Sequence, residues 1–449
     1  MGARALDTLT ALAAAFTLTT GPLATAPAPT PVRVTATVET PAVHHDEAGH
    51  NADADDPAVW VDPRTPGRSI VLGTLKEAGL GAYSLDGRLL QHLPAPAAPG
   101  ENAQPGRFNN VDVIYGFELG GQKTDLALVS DRGRDRIRAF AINPHAVVAR
   151  KSPLREVTAP DVAPVFAQSE RQVDEQRTSY GLTAFTEDDD AYVVVSQREE
   201  SQLSLLRLRN RNGRIGYQLE QTLDLPDTFL LPDGTSWTPC ADPGEHPQVE
   251  GMAVDQEEHV LYAAQETVGL WRIELRDGKF ATPRLIDRVR EFGTPWTYDA
   301  TEEECVPDAP TPDTPASSGP GGEHLSADVE GVTVYHAADG TGYVLASSQG
   351  DNTFAVYERS GRNRYVGSFR IADGVTDGVQ HSDGSTVINV PLGRAFPRGL
   401  LITHDGEATP TGADQESSNF KYLRWDRLAT AFPEPLTIDT ESFDPRDPN

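Results

Sequence analysis

Short apolar runs, each broken by a polar loop and answered by a second, alternating run, recur along this chain. Five segments show the pattern: Ser69–Arg88, Asp125–Pro144, Ala191–Asn210, Val260–Gly278 and Tyr343–Gly361. Each opens on strand-forming residues such as Ile70-Val71-Leu72 or Tyr192-Val193-Val194-Val195, and closes on a run such as Phe354-Ala355-Val356-Tyr357. A weaker sixth copy starts at Gly399-Leu400-Leu401-Ile402 and reaches His404-Asp405-Gly406. One more short strand precedes each copy: Ala58–Val61, Val111–Tyr115, Leu182–Phe185, Gly251–Val254, Gly331–Tyr335 and Val387–Val390. Six such units, spaced roughly every 55 to 85 residues, predict an all-β, six-bladed β-propeller. An ordinary β-sandwich is the alternative.

In a propeller blade the innermost strand crosses the molecule and the second strand returns. Residues just before the first and just after the second therefore share one face, near the axis. The first set reads Asp53, Asp55, Asp56, Asp112, Tyr180, Glu250, Asp328 and Glu330. The second reads Lys76, Arg132, Arg198, Glu199, Glu266, Gln349, Asp351 and Asp405. Taken singly, each is bland: Asp53-Ala54-Asp55-Asp56-Pro57 is a fair acidic turn, Glu250-Gly251 a fair solvated strand start, the cations fair rim charges. Their recurrence at equivalent positions makes them candidates for a single site, with Asp328 a metal ligand and Glu199 and Gln349 substrate contacts.

Composition sharpens the chemistry. The chain has 449 residues, 67 acidic against 38 basic, for a formal charge of −29, which repels nucleic acid and anionic membranes as partners. Crowded carboxylates raise one another's pKa, and divalent cations relieve that repulsion. Oxygen donors without Cys or His favour Ca²⁺ over zinc, and several bound calcium ions turn an anion-repelling face into an anion-binding one. Lys76, Arg132 and Arg198 then read as phosphate ligands, with a metal-bridged water as the nucleophile for in-line attack on phosphorus. No G-x-S-x-G elbow, Gly-rich phosphate loop or nucleophile–base histidine spacing accompanies them. Asp373-Gly374 to Ser382-Asp383-Gly384 has the texture of a calcium loop, to be completed by Asp405 and Glu407; a plain solvent loop is the alternative.

The first 26 residues read as an export signal, with Arg4, a mildly apolar Leu9–Leu18 and a small-residue site at Ala24-Thr25-Ala26. The expected layout is signal 1–26, N-terminal linker 27–48, propeller 49–432 and tail 433–449, secreted and monomeric. Export makes a Cys240–Cys305 disulfide the expectation, with two free thiols the alternative.

Several of these stretches resemble the β-propeller (alkaline) phytases: Asp53-Ala54-Asp55-Asp56-Pro57-Ala58-Val59-Trp60, Asn109-Asn110-Val111-Asp112, Glu250-Gly251-Met252-Ala253, Asp328-Val329-Glu330-Gly331 and Leu345-Ala346-Ser347-Ser348-Gln349-Gly350. The resemblance runs in order over about residues 50–430. It implies six blades, calcium dependence and stepwise hydrolysis of calcium phytate by an enzyme of 3-phytase type. It implies that Asp55, Asp56, Tyr180, Glu250, Glu266 and Glu330 ligate the catalytic calcium ions. By the same resemblance Lys76, Arg132 and Arg198 should hold the phosphate, the last where the family more often has Lys, and Asp377, Asp405 and Glu407 match a stabilising calcium site. Glu77 stands where a second basic residue is common, so an adjacent phosphate subsite is expected to be weaker, and Ala408 replaces a polar ligand. Asp224–Gln248 and Glu291–Glu323 read as insertions, each with one cysteine, that shape the rim of the site. Two rivals remain. A calcium-dependent lactonase or esterase propeller needs fewer cations than this. A non-catalytic, calcium-stabilised binding propeller needs no matched acids and bases.

Overall fold

Trp60 and Val59 face Ile70 and Val71 across the first of a series of antiparallel ladders. The structure, a computed structural model, describes residues 30–45, 51–101, 103–149, 151–302, 304–308, 320–409 and 416–447. Among them, four-stranded meanders repeat as blades. Blade one is Pro57–Trp60, Ile70–Thr74, Leu80–Ser84 and Leu89–Leu93. Blade two is Phe108–Leu119, Gln122–Asp131, Arg136–Ile142 and Leu154–Glu156. Blade three runs Ser179–Glu187, Asp190–Gln197, Gln202–Asn210 and Ile215–Asp224. Blade four runs Val249–Asp255, Val260–Gln265, Gly269–Glu274 and Arg284–Arg288. Blade five holds Val332–His336, Gly342–Ser348, Thr353–Glu358 and Tyr365–Ile371. Blade six holds Ser385–Ile388, Leu400–Asp405 and Glu416–Arg424. Adjacent innermost strands touch in ring order, and the sixth returns to the first. This is the six-bladed propeller.

Each blade buries both faces against its neighbours, which is why its middle strands are continuously apolar where a one-sided sheet would alternate. Ile70–Thr74 and Val260–Gln265 are buried at every position. The outermost strands return to half-buried patterns, as in Leu89–Leu93 and Arg284–Arg288. The apolar clusters lie between blades; one joins Val193 and Val195 of blade three to Leu126 and Leu128 of blade two.

The propeller boundary at residue 49 is too late. Val32–Val34 adds in parallel to the outer strand of blade five, and Val38–Glu39 and Val43–His45 pair with Glu416–Arg424 as the outer edge of blade six. A ring of blades must be closed between its first and last segments, and these short strands, too polar to announce themselves, do so by backbone bonding. The boundary at 432 is likewise too early. Trp425, at the start of helix Trp425–Ala431, stacks on Tyr335 with centroids 4.0 Å apart. Phe443 stacks on His336 at 4.1 Å, and Arg446 pairs with Asp125 at 2.6 Å over the Tyr115 ring. Phe443 and Pro445 thereby border an axial cavity of about 150 Å³. The export signal expected at 1–26 falls outside the described residues. No helix among the described residues is long and apolar enough to cross a membrane.

Candidate functional site

Four blades begin their inner strand with the same device, a ligand-type side chain followed by glycine: Tyr180-Gly181, Glu250-Gly251, Glu330-Gly331 and Asp383-Gly384. Each glycine lies against the next blade's backbone. A β-carbon on Gly181 would sit 2.0 Å from the Glu250 carbonyl oxygen, and one on Gly331 would sit 2.4 Å from that of Asp383. Removing the side chain lets successive inner strands close in, and the acids end up side by side.

One carboxylate oxygen each from Glu250, Glu266 and Glu330 lie within 4.8 Å of one another, all three residues buried. Neutral donors hold them. Tyr180 Oη donates to Glu250 Oε2 (2.8 Å) and Asn109 Nδ2 to its Oε1 (2.6 Å). Gln248 Nε2 donates to Glu266 Oε2 (2.9 Å), and Gln349 Nε2 donates both to Glu330 Oε2 (2.7 Å) and to Asp383 Oδ1 (2.9 Å). Burial, then the surrounding acids, pushes the carboxyls of Glu266 and Glu330 well up. Burial together with Glu291 and Asp383 raises Asp328 to about 6. Burial and the acids Glu250, Glu266 and Glu330 also drive the Tyr180 phenol well up, so it stays a donor.

Lys76 answers the acids from blade one. Its Nζ lies 2.7 Å from Asp53 Oδ2, 3.5 Å from Asp383 Oδ2 and 3.9 Å from Asp55 Oδ2. Burial favours the neutral amine, but the three carboxylates outweigh it and raise the lysine pKa. Lys76 has φ +46° and Glu199 φ +59°, left-handed values uncommon for residues with side chains and found preferentially at functional turns. Arg132 stands over the Tyr180 ring, its Cζ 5.6 Å from the centroid. Arg198 contacts Glu199, and Glu199 also faces Arg177 at 3.7 Å. The cations thus line blades one to three, while the carboxylates come from blades four to six and from Asp53, Asp55 and Asp56 at the start of blade one.

A hard cation fits the carboxylate half. Both carboxylate oxygens of Asp55 and Oε1 of Glu266 are buried without a hydrogen-bond partner, and the grouped side chains Glu250, Glu266 and Glu330 offer carboxylate oxygens alone. Asp56 is also deeply placed, its Oδ2 accepting from the Val111 N–H (3.0 Å), and burial pushes its carboxyl well up.

Some expected members lie elsewhere. Asp112 turns down the axis, accepting from Ala184 N–H (2.8 Å) and Thr183 Oγ1 (3.1 Å). Asp351 pairs outward with Arg290 at 2.5 Å. Asp377 and Asp405 come together around the buried Lys421, whose Nζ is 3.1 Å from Asp405 Oδ2, 2.6 Å from Glu39 Oε2 and in contact with Asp377 Oδ1. A lysine ammonium therefore meets the charge expected to draw a stabilising calcium. Glu407 N–H donates to Asp405 Oδ1 (3.3 Å), while its side chain pairs with His381 at 3.2 Å.

Asp383, expected in the separate calcium loop, joins this site, and the repeat reading misses it there. Its signal was there: the acid–glycine pair before the sixth inner strand. That strand starts at Ser385, two residues earlier than the apolar run Val387–Val390 indicates, because Ser385 and Thr386 carry no apolar mark.

Cys240 and Cys305 are bonded, and they join the two insertions. Trp237 of the first packs on Phe292 of the second at 4.6 Å. The first reaches the site where Gln248 Oε1 accepts from Glu199 N–H (2.8 Å), and the second where Glu291 Oε2 accepts from Ala327 N–H (3.1 Å) beside Asp328.

Comparison with known proteins places the chain among its relatives. A family model described as Phytase matches residues 2–173 and 296–448. A curated 3-phytase of Bacillus subtilis (strain 168) is 30% identical over 407 residues, covering 88% of this chain and 85% of that one. Among solved structures, the β-propeller domain of Myceliophteria thermophila Cps50 (Swd1) covers 84% of this chain and 85% of that one at 10% identity, with a TM-score of 0.38. That likeness is too distant to argue from, and the blades rest on their own strand ladders.

Proposed function

Because this chain belongs to the phytase family, we propose that it is a secreted, calcium-dependent phosphomonoesterase that hydrolyses phytate, of the 3-phytase type. The observation that carries the reading is the meeting of buried Glu250, Glu266 and Glu330 with the Lys76, Arg132 and Arg198 row on one face.

In this reading Asp55, Asp56, Tyr180, Glu250, Glu266, Asp328, Glu330 and Asp383 hold calcium. Bound there, calcium supplies positive charge against phosphate oxygens and a water of lowered pKa. The chain's own residues do the rest. Lys76, kept charged by Asp53, Asp55 and Asp383, is a fixed point charge for a phosphate oxygen. Arg132 and Arg198 offer planar forks that fit a phosphate bidentately. Tyr180 and Asn109 fix Glu250 from two sides, and Gln349 ties Glu330 to Asp383, so the acids keep their spacing when charged. Calcium is favoured over a softer metal because neither cysteine nor histidine enters the Glu250–Glu266–Glu330 group.

Phosphate release from phytate, measured with calcium and after EDTA, tests the proposal. Release that EDTA abolishes and calcium restores is expected. Undiminished release in EDTA would remove calcium from the reading, and no release under any condition would remove phytate.

A further inference from the structure

Thr178, Gln248 and Asp328 stand two residues before Tyr180, Glu250 and Glu330, at one repeated position of blades three, four and five. In each blade the main-chain carbonyl at this position accepts from the residue just after the second strand. Arg198 N–H donates to Thr178 O (2.9 Å), Glu266 N–H to Gln248 O (3.1 Å) and Gln349 N–H to Asp328 O (2.9 Å). The backbone frame repeats, so the side chain decides what the position does. Asp328 brings a carboxylate, and Thr178 Oγ1 donates to Arg132 O (2.6 Å) of the blade before. Gln248 reaches two parts of the site at once.

Its Oε1 accepts from Glu199 N–H (2.8 Å) of blade three, and its Nε2 donates to Glu266 Oε2 (2.9 Å) of blade four. A side-chain amide accepts only through its oxygen and donates only through its nitrogen, so the Glu199 N–H fixes which end faces the carboxylate. His246 N–H donates to Glu199 O (3.0 Å), so the first insertion holds both main-chain groups of the residue beside Arg198. Glu199 is left-handed, with φ +59°, a conformation that persists only where its surroundings hold it. The holding segment is itself anchored, since Pro247 O accepts from Ser201 Oγ (2.8 Å) and Gln265 Nε2 (2.9 Å). On the other arm, the amide occupies one oxygen of Glu266 and leaves Oε1 buried without a partner.

We propose that Gln248 is a positioning residue that sets the Arg198 turn and the free oxygen of Glu266 together. The disulfide-joined insertion that ends on it is then a working part of the site. The inference rests on the reading of Arg198 as a phosphate ligand and Glu266 as a calcium ligand. Gln248 acts through the Glu199 N–H and through Glu266 Oε2, not on the phosphate or the ion directly. Outer donors of this kind orient a ligating carboxylate, and losing one costs about tenfold or more in metal affinity.

Two variants of the full chain, close to glutamine in shape, separate the arms. Q248M loses both. Q248E keeps an acceptor for the Glu199 N–H but sets a carboxylate against Glu266. Calcium titration followed by thermal melting, without substrate, reads the Glu266 arm. KM for phytate at saturating calcium reads the Arg198 arm. Q248M is expected to raise the calcium midpoint about tenfold. Its KM should rise about fivefold, the worth of one neutral hydrogen bond. Q248E should keep KM within about twofold of wild type. Its calcium-induced rise in melting temperature should exceed that of wild type, because a bound cation relieves the new repulsion. A residue that only holds the fold would move both readouts the same way in both variants. A Q248M protein with both values within about twofold of wild type overturns the positioning role. So does a Q248E protein whose KM rises fivefold or whose calcium-induced rise is no larger than that of wild type, and Q248E decides alone if Q248M does not fold. A wild-type protein that melts at the same temperature with and without calcium overturns the functional reading instead.

Discussion

The α-carbon of Gly251 faces the carbonyl oxygen of Glu330 so closely that a β-carbon there would lie 1.2 Å from it. No side-chain motion relieves a clash with backbone, so blades four and five must move apart, and Glu250 and Glu330 with them. Gly251→Ala is therefore expected to cost more than about 4 kcal/mol, among the largest single-residue effects. Gly100, with open space around it, supplies the control: Gly100→Ala should change stability by less than about 0.5 kcal/mol. Denaturant unfolding of the two variants checks both numbers.

Lys76 is the one ammonium shared by Asp53, Asp55 and Asp383. Replacing it with Met keeps the stem's packing and removes the charge. Turnover of phytate should fall about 100-fold or more, the usual cost of losing a preorganised charge at the reacting centre. Apparent calcium affinity should rise, because three carboxylates lose their internal cation. A calcium titration followed by thermal melting separates these effects; unchanged turnover would take Lys76 out of the site.

Acid should loosen the end of the axis opposite the site. Burial, then the like charge of Arg359, lowers the pKa of His336 from 6.5 to about 4. The unfolded chain therefore takes up the proton first, and stability present above about pH 6.5 is lost as the pH falls toward 4. Between pH 7 and pH 4.5 this one group accounts for about 2 kcal/mol. His336→Phe keeps a ring against Phe443 and removes the titration. Wild type should lose about 2 kcal/mol more than the variant across that range in denaturant midpoints.

Much of the site was legible because a propeller repeats its geometry. Glu250 and Glu330 announced themselves as acid–glycine pairs at equivalent starts of inner strands, and Lys76, Arg132 and Arg198 as cations at equivalent ends of second strands. Asp383 escaped because its strand opens on Ser385 and Thr386, which carry no apolar signal. Val32–Val34 and Val38–Glu39 escaped for a related reason: edge strands join by backbone bonds, which any sequence can make.

The sequence by itself determined the blade count and pointed to Glu250, Glu330, Lys76, Arg132 and Arg198 at one end of the molecule. Both follow from a unit of short apolar strands repeated six times, with chemistry at fixed offsets. Only the tertiary structure decided which acid faces which cation. Lys76 was to meet Asp55 and Asp383, Arg107 was to meet Glu77, and Lys421 was to settle between Asp377 and Asp405. Such pairings depend on contacts between blades separated by hundreds of residues, and on rotamers set by packing, neither of which a one-dimensional spacing records.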